Sequence, residues 1–245
     1  MISGKKTLAA YLNLAAVAVL GMLSGPAAAE SELTPMEWAG LPDYCKSAIL
    51  QSGYHHIIPS SNTLTGAWAR AQGFNEHGLA GAHHFCMGLV YMDRAKMGRA
   101  TFKDAIGELN YSQSQMDISD RGYPYATSYL AMAHYRAGNR LKANSLWQGC
   151  IQTHPQNRYC YLSMADALFA EKRPQQALDL LLKYDEVKEG EYPDAEHFIA
   201  RAYYDTKRYP EALKRAERAS ELGYPVSGLR DKLRAIVAGT GKGGK

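Results

Sequence analysis

Seven side chains in the first third of the chain could hold a metal: His55, His56, His77, His83 and His84, with Cys45 before them and Cys86 after. Imidazole and thiolate are the ligands that zinc and other borderline metals prefer. His83 and Cys86 are three residues apart, so one helix face could offer both. His83 and His84 would point about 100° apart on that helix and do not converge on one ion. The competing chemistry for Cys45 and Cys86 is a disulfide. The chain has 4 cysteines, the others being Cys150 and Cys160, and four allow three pairings. Bridges are the expected use of an even cysteine set in an exported chain; a metal-handling protein built on the His/Cys cluster is the alternative.

No catalytic motif accompanies these residues. Cys-x-x-Cys-His, His-Glu-x-x-His and a Gly-rich loop ending in Gly-Lys-Ser/Thr are absent, as is a Gly-x-Ser-x-Gly elbow. The sequence therefore assigns no catalytic residue, no metal ligand set and no cofactor, and the chain reads as a non-enzyme. With 28 Lys+Arg against 24 Asp+Glu, spread without long runs of one sign, it carries only +4. That balance argues against nucleic acid or anionic lipid as a partner.

The first residues have the order of a secretory signal. Lys5 and Lys6 precede an apolar run from Leu8 to Leu23, and Gly25-Pro26-Ala27-Ala28-Ala29 supplies a helix break and small residues for cleavage. Residues 1–29 are expected to be removed, leaving a mature chain from Glu30 with a net charge of +2. No cysteine at the cleavage site marks a lipoprotein, and no later segment is apolar enough to span a bilayer. A periplasmic or secreted location follows, the periplasm because the signal is bacterial in style.

The elements that must position everything else show up as a repeat. Ala143, Ala177 and Ala212 are spaced 34 and 35 residues apart within one recurring pattern. From Pro124 to Asn157, Leu130-Ala131, His134, Gly138, Ala143, Trp147, Cys150 and Pro155 mark one copy. Met164-Ala165, Leu168, Ala177, Leu181 and Tyr184 mark a second, and Ile199-Ala200, Tyr203, Ala212, Ala216 and Ala219 a third. Gly88, Tyr91, Phe102, Ala105 and Leu109 form a divergent earlier copy with extra residues around Asp117–Tyr123, and Val226–Val237 reads as a closing helix. This pattern resembles the tetratricopeptide repeat, a hairpin of helices A and B recurring every 34 residues.

The resemblance implies an all-α, right-handed superhelical solenoid of helical hairpins preceded by an irregular N-terminal segment. It divides the chain into a signal peptide (1–29), a Cys/His-containing segment (30–80), repeats with a capping helix (81–238) and a flexible tail (239–245). In the N-terminal segment, Pro35–Trp38 could open one helix and Pro42–Gln51 forms another. Leu41-Pro42-Asp43-Tyr44-Cys45 and His83-His84-Phe85-Cys86 resemble motifs at the front of exported bacterial members of the family. The register also places Cys150 late in one helix B and Cys160 early in the next helix A, across the Pro155 turn, which leaves Cys45 to pair with Cys86.

Members of the family bind peptides or partner proteins along the concave face lined by the A helices, and exported members serve the assembly of envelope machinery. Carried onto this register, the concave residues are Tyr125, Ser128, Met132, Tyr135 and Arg136 in one repeat. The next gives Tyr159, Leu162, Asp166 and Phe169, and the last gives His197, Arg201, Tyr204 and Asp205. Tyrosine, methionine and arginine are residue types enriched at interface centres. The resemblance thus implies a protein or peptide partner and leaves the oligomeric state open. The mixed charge of Arg136, Arg201, Asp166 and Asp205 departs from the all-basic clamp that family members use for a terminal carboxylate.

Overall fold

The computed structural model describes residues 32–71 and 78–240. The expected signal peptide, residues 241–245 of the expected tail, and His77 lie outside the described residues. Three short helices come first, α1 (Pro35–Gly40), α2 (Asp43–Gln51) and α3 (Gly66–Ala71), with a 3₁₀ turn at His55–Ile57. Four hairpins follow: α4 (Ala82–Lys96) with α5 (Phe102–Ser114), α6 (Tyr123–Arg136) with α7 (Arg140–Thr153), α8 (Arg158–Ala170) with α9 (Pro174–Val187), and α10 (Pro193–Asp205) with α11 (Tyr209–Glu221). A last helix, α12 (Gly228–Thr240), packs on α11 and begins two residues later than the sequence suggested.

The second helix of each hairpin also packs on the first helix of the next, and α6, α8 and α10 lie side by side. The chain is therefore an all-α solenoid of stacked hairpins. Small residues set the spacing within each pair: Ala105, Ala143, Ala177 and Ala212 are fully buried at equivalent points of the second helices, as are Ala131, Ala165 and Ala200 of the first. In the first hairpin that role falls to Gly88, where an added Cβ would sit 2.5 Å from Leu109 Cγ.

One device closes all four hairpins. Gly98, Gly138, Lys172 and Lys207 have φ of +70°, +85°, +58° and +63°. The following residue's N–H in each case reaches back five residues, from Arg99 to Arg94, Asn139 to His134, Arg173 to Leu168 and Arg208 to Tyr203. This left-handed cap satisfies carbonyls that the helix end would otherwise orphan. Proline at the first or second position then starts α6, α9, α10 and α11, where its missing N–H costs nothing.

The N-terminal segment runs antiparallel to α4. Glu37 is bonded to Arg94 near the far end of that helix (2.8 and 2.9 Å), Cys45 is bridged to Cys86, with Cα atoms 5.4 Å apart, and the Tyr54 ring lies 4.6 Å from His83 at the near end. Leu33, Trp38, Ile49 and Ile57 share one buried cluster with Phe85, Leu109 and Leu130, so the segment closes the open end of the stack. Such a cover is needed because a terminal hairpin has no neighbour against which to bury its outer face.

Candidate functional site

The A helices α4, α6, α8 and α10 line an open hollow of about 530 Å³. Seven of the thirteen residues that the register puts on the concave face meet there: Tyr125, Ser128, Met132 and Arg136 from α6, and Tyr159, Leu162 and Asp166 from α8. Spacing by three and four residues puts each set on one helix face. Met92 and Lys96 of α4, Tyr129 of α6, Ser163 of α8 and Phe198 of α10 complete the lining, with Asp194. Tyr129, Ser163 and Phe198 lie one helix position to the side of the inward stripe, and Met92 and Lys96 belong to the divergent hairpin. Asp194 holds on α10 the stripe position that Tyr125 and Tyr159 hold on α6 and α8, and the sequence reading omits it.

The floor is aromatic. The Tyr125 ring stands edge-on to Tyr129 at 5.2 Å and to Tyr159 at 4.7 Å, and is tilted against Phe85 at 5.3 Å. Its hydroxyl shares a hydrogen bond with Tyr44 of α2, 3.2 Å away, so the N-terminal segment reaches the rim of the hollow. Burial pushes the phenols of Tyr125 and Tyr129 well above their ordinary range, and that of Tyr159 upward as well. They are held neutral, as hydrogen-bonding and contact groups. Beneath them, Trp147 Nε1 donates to Ser163 Oγ (3.0 Å), which donates to the Ser128 carbonyl (2.9 Å) and fixes α6 against α8.

The charges of the face are paired with one another. Asp166 lies 3.8 Å from Arg136 and 3.5 Å from Arg201, and Arg201 is 3.8 Å from Asp205. Arg158 holds Asp194 at 2.9 Å and sits over the rings of Tyr159 and Tyr192 at 4.5 and 4.2 Å. The Asp166 set is more than a third exposed; at these lengths its pairs are weak and exchangeable.

The other six, Tyr135, Phe169, His197, Arg201, Tyr204 and Asp205, lie outside the hollow. Tyr135 lines a different cavity, between α7 and α9: Arg140 covers its ring at 4.8 Å and its hydroxyl donates to the Ala167 carbonyl (3.3 Å). Phe169 is 8 % exposed beneath Arg201, whose guanidinium lies 4.1 Å above its ring. His197 is stacked on Tyr224 at 4.2 Å, and burial together with Arg201 lowers its pKa. Tyr204 is covered by Lys232 of α12 at 4.7 Å. The closing elements thus occupy the inner face of the last hairpin, which an unbroken register does not anticipate.

Of the histidine cluster, His83 and His84 are half-buried in packing, while His55 and His56 are exposed. Cys45 and Cys86 are joined to each other and Cys150 to Cys160, so no described thiol is free to ligate. His84 Nδ1 lies 2.7 Å from Glu108 Oε2, and its ring is 4.2 Å from Tyr111 and 4.3 Å from His83. Among the described residues no three His, Cys, Asp or Glu side chains gather as a metal site would require. No described helix is long and apolar enough to cross a membrane.

The chain matches no family model and no curated protein. Solved structures similar to it include three of MamA. A point mutant shares 17% identity over 66% of this chain and 88% of that one, with a TM-score of 0.43. An RS-1 double mutant shares 13% over 57% and 75%, at 0.38, and an MSR-1 form 19% over 56% and 77%, at 0.36. Likeness at this level says nothing of what the chain binds; its assignment as a hairpin solenoid rests on the packing described above.

Proposed function

We propose that the chain is a non-enzymatic adaptor, exported to the periplasm, that holds a peptide or a segment of a partner protein in the hollow of α4, α6, α8 and α10. The observation that carries this reading is the hollow itself, an open concavity whose lining combines tyrosines, Met132, Leu162 and Phe198 with exchangeable charges at the edge. Aromatic side chains give large contact area at small rotamer cost, and neutral phenols offer hydrogen bonds to a peptide backbone. The phenols of Tyr125, Tyr129 and Tyr159, pushed upward by burial, serve as contact groups rather than as acids or bases near neutral pH. Two buried disulfides are the usage expected of an oxidising compartment.

Site-specific photocrosslinking in cells tests the reading. A photoreactive residue at Met132 should trap a discrete partner, whereas one at Leu141, 88 % exposed on α7, should not. Equal trapping from both positions, or from neither, would remove the hollow as the binding site.

A further inference from the structure

A second depression lies beside the first, and nothing in the repeat register points to it. Between α1 and α4 opens a cavity of about 370 Å³, floored by Leu41, Leu89 and Val90 and edged by Met36 and Met97. Met36 is 84 % exposed and Met97 59 %. Scattered apolar side chains in solvent need no explanation, but two flexible thioethers at the rim of one apolar depression are the make-up of a contact surface.

The two hollows open on the same side of the molecule. Leu89 and Asp93 hold the positions on α4 that Met132 and Arg136 hold on α6, and Lys96 lines both cavities. The partner of Lys96 is Asp93, 2.8 Å away and three residues earlier, with both side chains more than half exposed. Such a pair contributes little in water, so the ammonium can turn to a carboxylate brought by a ligand.

We propose that the two hollows form one bipartite site for a linear, extended peptide segment. The segment places a large apolar side chain in each hollow and an acidic residue between them on Lys96. This rests on the adaptor reading above and names the chemistry of its partner. A segment running from the α1–α4 hollow to the aromatic floor between α6 and α8 crosses two helix spacings of about 8–10 Å each, roughly 16–20 Å in all. At about 3.3 Å per extended residue, the two apolar anchors are about five or six residues apart in the ligand.

The test uses the mature chain and a phage-displayed library of random peptides of about twelve residues. The best binders are then synthesised and titrated against Met36→Lys, Lys96→Glu and Met132→Glu, each checked for an unchanged helical spectrum. Expected are sequences with two large apolar residues at that separation and Asp or Glu between. Their affinity should fall about tenfold or more in all three variants, and exchanging the acidic residue for Lys should restore binding to Lys96→Glu. Binders that lose affinity for Met132→Glu alone would overturn the bipartite site and leave the adaptor reading intact. Binders indifferent to all three variants would overturn both. Failure to enrich any sequence would also overturn the bipartite proposal, while crosslinking from Met132 would still decide the adaptor reading.

Discussion

Gly88→Ala and Gly107→Ala are the same chemical change on two adjoining helices, and they should have opposite effects. Either one gains about 1 kcal/mol of helix propensity. At Gly107 an added Cβ meets nothing within 4 Å, so the gain stands alone and the protein should be stabilised by up to about 1 kcal/mol. At Gly88 the Cβ would lie 2.5 Å from Leu109 Cγ, 2.7 Å from its Cδ2 and 3.4 Å from its backbone N, against an optimum near 3.5–4.0 Å for carbon pairs. Leu109 is fully buried, so turning about Cβ–Cγ leaves Cγ in place, and a new χ1 would drive the side chain into the surrounding core; either that core repacks or α4 moves from α5. Overpacking of that kind costs typically about 1–3 kcal/mol. Against the propensity gain this leaves Gly88→Ala up to about 2 kcal/mol less stable than wild type. Urea denaturation followed by circular dichroism at 222 nm measures both variants. Adding Leu109→Ala to Gly88→Ala supplies a check, since the two changes should cost less together than the sum of each alone. Gly88→Ala as stable as Gly107→Ala would refute the argument that a side chain at this crossing holds the hairpin apart.

Lys172→Gly and Lys207→Gly should each raise stability by about 0.5–1 kcal/mol. A left-handed L-residue costs roughly 1–2 kcal/mol, of which glycine's unfolded-state freedom returns roughly 0.5–1; a lowered melting temperature in either variant would contradict this. Glu37 is held at a pKa of about 2 by its hydrogen bonds to Arg94, against an ordinary value of 4.5. Its depressed folded pKa stabilises the chain above pH 4.5, and that contribution, roughly 3 kcal/mol by linkage, is lost as pH falls toward 2. The gap between the urea midpoints of wild type and Glu37→Gln at pH 6 should therefore shrink to about a quarter by pH 2.5, and a gap that is constant with pH would sink the assignment. Loss of the bridges through Cys→Ser pairs should cost about 3 kcal/mol for Cys150–Cys160 and about 4 kcal/mol for Cys45–Cys86, from sequence separations of 10 and 41. Denaturation of the two double variants side by side measures the difference.

What the sequence showed of this structure was whatever repeats. The alanine spacing gave the hairpins, and the register brought Cys150 to Cys160 because a tight turn leaves little freedom between the helices it joins. It also gathered most of the α6 and α8 face into one hollow. Where the pattern stops, so does legibility. The path of α1 and α2 back along α4 depends on side chains far apart in the chain, such as Glu37 with Arg94 and Tyr44 with Tyr125, and leaves no period to read. His197 and Tyr204 of α10 do not reach the hollow, since Tyr224 and Lys232 pack against their rings. Tyr135 turned away because Arg140 and the Ala167 carbonyl hold it on the other flank.

The buried apolar side chains form three clusters along the stack, and they are unequal. One runs from Leu33 to Ala133 and another from Tyr161 to Leu233, each with many large residues. The cluster between them consists of Ala131, Ala143, Ala167, the Cys150–Cys160 bridge and a single large side chain, Trp147. In a quasi-one-dimensional array, cooperativity extends only as far as the coupling between neighbours carries it. The join of the second hairpin (α6 with α7) to α8 is the stretch of the stack with the fewest large buried side chains. Reduction of Cys150–Cys160 is expected to loosen that join first, and with it the aromatic hollow, whose lining from Met92 to Phe198 crosses it.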